Sequence, residues 1–299
     1  FRRVLFRSRS SMDTTAEKLY DRSIRTWGAE AQQRLLSCQV LVLGYDALMS
    51  EILKNIVISG VSRVRVVDTF KGQPVQASEC DANNLFGVSV GHVRTELAGN
   101  VRSVNTDLDI AVLSPQDITP ELVEHTSVIV CTSNDMELIH VAETFDVPIV
   151  YCSSLGGIGL YFTQNVNGHT TKISDSIMSL VPDAPARRAH QQFVSKYNQM
   201  DTHAPEQCLE SMKAMVDDAG IQAYLALGLE FPPVTSVIGS LAAQEVINII
   251  GRRATYTTQE CGGFLYDSVL NVADIISTEP PAEITGAAAV QHHHIIDLD

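Results

Sequence analysis

Two groups of residues in this chain have the types and spacing to meet phosphate. The first is a turn and an acid: Gly44-Tyr45-Asp46-Ala47-Leu48-Met49 follows an apolar run, and Asp68 closes the next one. A turn of this kind binds phosphate when glycines let backbone N–H groups at a helix N-terminus approach the anion, while a strand-end acid takes ribose hydroxyls. Asp68 stands in the acid's place, although a turn cap is an equally good reading of a strand-end acid. The turn itself has one glycine, bulky side chains, and a carboxylate where a triphosphate would lie. The second group is Arg22 and Arg25 in Tyr20-Asp21-Arg22-Ser23-Ile24-Arg25-Thr26-Trp27-Gly28. Three residues apart, they are neighbours on a helix surface, and two guanidinium forks can hold a phosphate or a carboxylate. A solvated basic face is the plainer alternative.

The elements that must position these groups follow from periodicity. Residues 18–36 read as a helix with Ile24, Trp27, Ala31 and Leu35 on one face. Gln39-Val40-Leu41-Val42-Leu43-Gly44 is a continuous apolar run, 47–59 is helical, and Val64-Arg65-Val66-Val67-Asp68 is a second strand. Unbroken apolar strands suit a parallel sheet buried on both faces, so this is a βαβ unit. Residues 108–113, 128–131 and 149–151 read as further short strands, separated by helices at 120–125 and 136–145. The expected fold is α/β: a doubly wound, mostly parallel, Rossmann-like sheet. Past Gly156-Gly157-Ile158-Gly159 the pattern changes, and 160–164 with 170–173 around Asn167-Gly168 predicts an antiparallel hairpin. A helix over 235–250 and closing strands in 263–274 complete the expectation. The stretch 182–226 is helix-prone and polar.

Composition bounds the function. The 299 residues are 45% hydrophobic and carry a net charge of -14. That acidity argues against nucleic acid or an anionic membrane surface as the main partner, because both are bound through clustered Lys and Arg. A protein partner with a basic face fits better. The longest apolar stretch, 235–250, is interrupted by Gln244 and Glu245 and falls short of the ~20 residues of a membrane span. Cys38, Cys80, Cys131, Cys152, Cys208 and Cys261 include no CxxC pair, so neither a zinc site nor a disulfide framework is signalled. All six read as structural thiols of a reducing compartment, and His292-His293-His294 as an incidental tail cluster. Residues 1–11 resemble the translation of a sequencing-library adapter. The natural chain is expected to start at Met12, with one domain over 12–278 and a flexible acidic tail over 279–299.

The Tyr-Asp-Arg-x-Ile-Arg-x-Trp-Gly stretch, followed directly by the βαβ unit, resembles the amino terminus of the enzymes that activate ubiquitin-like proteins. The likeness is strongest to the small subunits of the heterodimeric SUMO-activating enzymes. It continues through Glu51-Ile52-Leu53-Lys54-Asn55-Ile56 and Gly91-His92-Val93-Arg94-Thr95-Glu96. It returns at Pro233-Val234 and Ala242-Ala243-Gln244-Glu245-Val246-Ile247, and is weak across 174–229. The resemblance implies a ThiF-type adenylation fold. In active members of that superfamily ATP lies on the glycine-rich turn and the ribose-binding acid. An Asn and Arg pair and a Lys hold the phosphates, and a strand-end Asp holds magnesium.

Set beside that pattern, Asp81-Ala82-Asn83-Asn84-Leu85-Phe86 lacks the Arg, Arg94 stands at the lysine position, and Ser133 stands where the metal-holding Asp would be. Asp68 and Arg94 are then vestiges of a lost site. The resemblance implies a subunit that binds no cofactor itself. ATP and Mg2+ would belong to a large catalytic subunit, its obligate partner, which also carries the catalytic cysteine and handles SUMO. Arg22 is implied to reach across to the partner's ATP, with Arg25 structural, and the isolated chain is expected to be inactive. The sister enzyme for the cullin-modifying ubiquitin-like protein is the second reading, and a self-contained adenylyltransferase homodimer the third. Resemblance places the protein in the nucleus or the cytoplasm, the nucleus first. The ending Ile295-Ile296-Asp297-Leu298-Asp299 resembles a SUMO-interacting motif, able to add as a strand to the modifier's sheet.

Overall fold

The computed structural model describes residues 14–69, 74, 97–132, 136–155, 158–168, 170, 172–174, 232–257, 261–267 and 272–277. Eight strands form one sheet: β1 (Gln39–Leu43), β2 (Arg63–Val67), β3 (Asp109–Leu113), β4 (Val128–Cys131), β5 (Ile149–Leu155), β6 (Ile158–Gln164), β7 (Cys261–Asp267) and β8 (Val272–Ser277). Their order is β3-β2-β1-β4-β5-β6-β7-β8. Pairing is parallel from β3 to β5 and antiparallel from β5 to β8. The expected doubly wound sheet with an antiparallel extension is therefore the observed one. Every residue of β1 and β4 is buried, as their unbroken apolar runs require of strands covered on both faces.

The single helix expected over 18–36 is instead three: α1 (Thr14–Leu19), α2 (Asp21–Trp27) and α3 (Ala29–Ser37). Gly28 separates the last two at φ 91°, a left-handed conformation that glycine adopts without strain. Between β1 and β2 runs α4 (Ala47–Ile58), nine of whose twelve residues are buried. Then come α5 (Leu97–Val104), α6 (Pro120–Glu124) and α7 (Met136–Glu143). The last described helix, α8 (Pro232–Gly251), packs on α4, β5 and β6. The core on this face joins Val40, Val42, Ile52, Ile56, Ile238 and Val246.

Two further expectations change. The helix predicted over 235–250 has twenty residues, so it reaches membrane-spanning length, yet two thirds of its apolar window is buried in the fold. Its Glu245 is fully buried and accepts hydrogen bonds from the backbone N–H groups of Tyr256 at 2.8 Å and Thr257 at 2.9 Å. Residues 170 and 172 form no strand. β6 pairs instead with β5 and β7, while Ile173 N donates to the Gln164 side chain at 3.1 Å. The Asn167-Gly168 turn does form, both residues at positive φ, but the chain after it is held by that amide rather than by a ladder.

Candidate functional site

In a doubly wound sheet the ligand crevice opens at the carboxyl ends of the strands, where the order reverses, which here is between β1 and β4. Those ends are tied in register. Gly44 N donates to Val67 O at 3.3 Å, Thr132 N to Leu43 O at 3.1 Å, and Asp68 N to Leu113 O at 2.9 Å. Asp68 thus stands at the end of β2, nearly buried, in the position of the ribose-binding acid.

The turn after β1 is occupied by its own side chains. Asp46 is the N-cap of α4, with extended backbone, and its Oδ1 accepts the Met49 N–H at 2.7 Å. That N–H is one of the donors a phosphate would take at a helix N-terminus. The capping carboxylate also sets its negative charge against the positive end of the helix dipole, where it stabilises α4 and repels a second anion. Tyr45 is buried in the same turn. A triphosphate laid on this turn would have to displace that bonded carboxylate. Arg94, Asn83, Asn84 and Ser133 lie outside the described residues.

The structure separates the two arginines of the opening motif. Arg25 closes on Asp21 one turn earlier, Nε to Oδ1 at 3.1 Å and a terminal nitrogen to Oδ2 at 2.9 Å. The pair is exposed on both sides, so it contributes little to stability, but it neutralises Arg25. Arg22 is exposed on the same helix, and its guanidinium makes no hydrogen bond or ion pair with another described residue. Its carbonyl accepts from Thr26 Oγ1 at 2.9 Å.

Arg22 and Asp68 are not brought together. Tyr20, two residues before Arg22, packs on Gly60 beyond the C-terminal end of α4, whereas Asp46 caps the N-terminal end. The twelve residues of α4 separate these ends by about 18 Å at 1.5 Å per residue. The anchor of α2 is therefore at the end of α4 opposite the Asp46 cap.

The described thiols are unsuited to nucleophilic work. Burial pushes the Cys38 thiol up to about 12, and it also raises Cys152 well above the ordinary thiol range. Cys131 is likewise buried, and Cys38 Sγ donates to Leu35 O at 3.1 Å. A reactive cysteine needs a lowered value and access: Cys38 and Cys152 have neither, and Cys131 lacks access. Among the described residues no three His, Cys, Asp or Glu side chains gather as a metal site. Cys80, Cys208, His292 to His294 and the tail residues Ile295, Ile296, Asp297 and Leu298 lie outside the described residues.

Sequence reasoning missed Gln32 and Asn105, which hold α2 in place. Gln32 is fully buried, accepts from Trp27 Nε1 at 2.8 Å and donates to Ser59 O at 2.9 Å. Asn105 Nδ2 donates to Tyr20 Oη at 3.4 Å and to Val57 O at 3.3 Å. Neither spacing carries a periodic signal, since one pairing is five residues along and the other eighty-five.

Among known proteins, SUMO-activating enzyme subunit 1 of Dictyostelium discoideum is 23% identical over 304 aligned positions, covering 84% of this chain and 90% of that protein. The NEDD8-activating enzyme E1 regulatory subunit of Xenopus laevis is 30% identical over 166, covering 52% of this chain but 30% of that protein. Among solved structures, PaaA superposes with a TM-score of 0.63 at 14% identity, covering 93% of this chain and 85% of PaaA. E. coli MccB superposes at 0.60 and 15% identity, covering 93% of this chain and 75% of MccB. These two likenesses are of fold. A ThiF family profile matches residues 20–266, most of the chain, and the protein belongs to the ThiF family.

Proposed function

We propose that this chain is the non-ATP-binding subunit of a heterodimeric enzyme that activates SUMO. The observation that carries the reading is the Asp46 carboxylate on the Met49 N–H, which fills the helix end where a ThiF-type ATP site needs phosphate. A large partner then supplies ATP, magnesium and the thioester cysteine, and the nucleus or the cytoplasm is where the pair acts. Arg22, exposed on a helix anchored at the end of α4 opposite its own crevice, serves the partner's nucleotide instead. Its guanidinium would meet negative charge developing on the phosphates, where a positioned cation lowers the barrier most.

SUMO is preferred because the Dictyostelium subunit matches over nearly its whole length. The second reading, the corresponding subunit for NEDD8, is favoured by the higher identity of the Xenopus regulatory subunit over a shorter stretch. Coexpression with each of the two large subunits decides between them. The expected result is a stable complex and a SUMO thioester with the SUMO-type partner. A NEDD8 thioester with the other partner alone would replace SUMO by NEDD8, and failure to assemble with either would remove the subunit reading.

A further inference from the structure

The helix that displays Arg22 buries none of its own residues. Seven residues of helix are far below the length that is stable in water, so something outside α2 must fix it. Both ends are fixed. At the start, the Tyr20 ring lies against Gly60, where an added Cβ would come within 3.2 Å of it, and the Tyr20 hydroxyl accepts from Asn105. At the finish, the Trp27 indole N–H is bonded to the buried Gln32 amide, whose other end is bonded to Ser59 O at the close of α4. Arg253 covers the face of the Trp27 ring at 5.8 Å. Gly60 leaves room for this arrangement, since a Cβ there would stand 2.4 Å from Gln32 Nε2.

We infer that Tyr20, Trp27 and Gln32 are positioning residues, holding α2 so that Arg22 projects in one direction toward the partner's nucleotide. The inference rests on the trans role of Arg22 proposed above. Its physical basis is that a buried amide satisfied at both ends fixes one geometry, whereas a surface helix held by exposed contacts would sample many. A charge-stabilising group loses effect steeply when displaced by about 1 Å.

The test uses the assembled heterodimer and ATP–pyrophosphate exchange. Trp27→Phe keeps an aromatic, though smaller, ring and removes the N–H that Gln32 receives. It is expected to lower kcat about tenfold with KM for ATP little changed, while sedimentation still shows the intact pair. Tyr20→Phe, which leaves the ring on Gly60, should act in the same direction, and it serves if Trp27→Phe does not assemble. In an Arg22→Ala background each substitution should change kcat less than about twofold, because residues acting through one another are not additive. Full rate in both single variants, or the same loss in both backgrounds, overturns the inference. If Arg22→Ala itself runs at full rate, the trans role falls and this inference with it. If Arg22→Ala is slow and the two aromatic variants are not, only the positioning role falls.

Discussion

Asp46 and Met49 stand in a cap: the carboxylate of one accepts the backbone N–H of the other at 2.7 Å. This contact does two things at once. It completes the N-terminus of α4, the most deeply buried helix of the βαβ unit, and it puts a fixed negative charge at the one place in the fold built to receive an anion.

The cap is testable on its own. Asp46→Ala should cost about 1 kcal/mol, the usual value for a lost N-cap, whereas Asp46→Asn keeps an acceptor and should stay close to the parent. Chemical denaturation of the three proteins reads the difference. Equal midpoints would mean that the contact does not cap the helix.

The buried thiols give a pH dependence with a definite sign. The folded state holds the Cys38 proton more tightly than the unfolded chain does, with a value of about 12 against 9.0. The resulting stability is therefore complete below pH 9 and is lost as pH rises toward 12. Denaturation midpoints should fall between pH 9 and 11, and less so in Cys38→Ala. Alkylation at pH 8 should leave Cys38, Cys131 and Cys152 unmodified until the chain unfolds. Rapid native labelling of Cys38 would contradict its burial.

Gly60 sits at φ 107° with Gln32 and Tyr20 crowded against it. Gly60→Ala combines an unfavourable backbone with overpacking, each commonly worth 1 kcal/mol or more, so the sum should be about 2 to 4 kcal/mol. A thermal midpoint unchanged from the parent would show that the α2 anchor is looser than its distances suggest.

The legibility of the chain follows from the range of the forces involved. β1 and β4 could be read because a strand buried on both faces must be apolar throughout, and Val40 to Leu43 and Val128 to Cys131 are. The break at Gly28 was hidden because Trp27, Ala31 and Leu35 keep helical spacing across it. Asp46 was visible as a misplaced charge in a phosphate turn. Its bond to Met49 shows why it is tolerated. Gln32 and Asn105 were not visible, because their partners Ser59 and Tyr20 are distant in sequence and any polar residue pattern permits them. Spacing and charge alone do not tell Arg22 from Arg25; the resemblance sets Arg22 apart, and the structure adds that Asp21 takes Arg25.

The tail makes a separate prediction. Ile295 and Ile296 favour an extended backbone, and Asp297 and Asp299 can face basic residues beside an edge strand, with Leu298 between them. A peptide of residues 291–299 titrated into labelled SUMO should shift the modifier's edge-strand resonances weakly, since a free tail loses entropy on docking. No shift, or the same shifts with both isoleucines replaced by alanine, would reduce the tail to a solvated end.

On the proposed function, this chain lends a cation to a nucleotide it does not itself bind. ATP–pyrophosphate exchange measures it directly on three samples: the chain alone, the heterodimer, and the heterodimer carrying Arg22→Ala. The expected result is no exchange from the chain alone, full exchange from the pair, and a loss on the order of 10³-fold for Arg22→Ala with the pair still assembled. Robust exchange by the chain alone, or a full rate in the Arg22→Ala heterodimer, would contradict it.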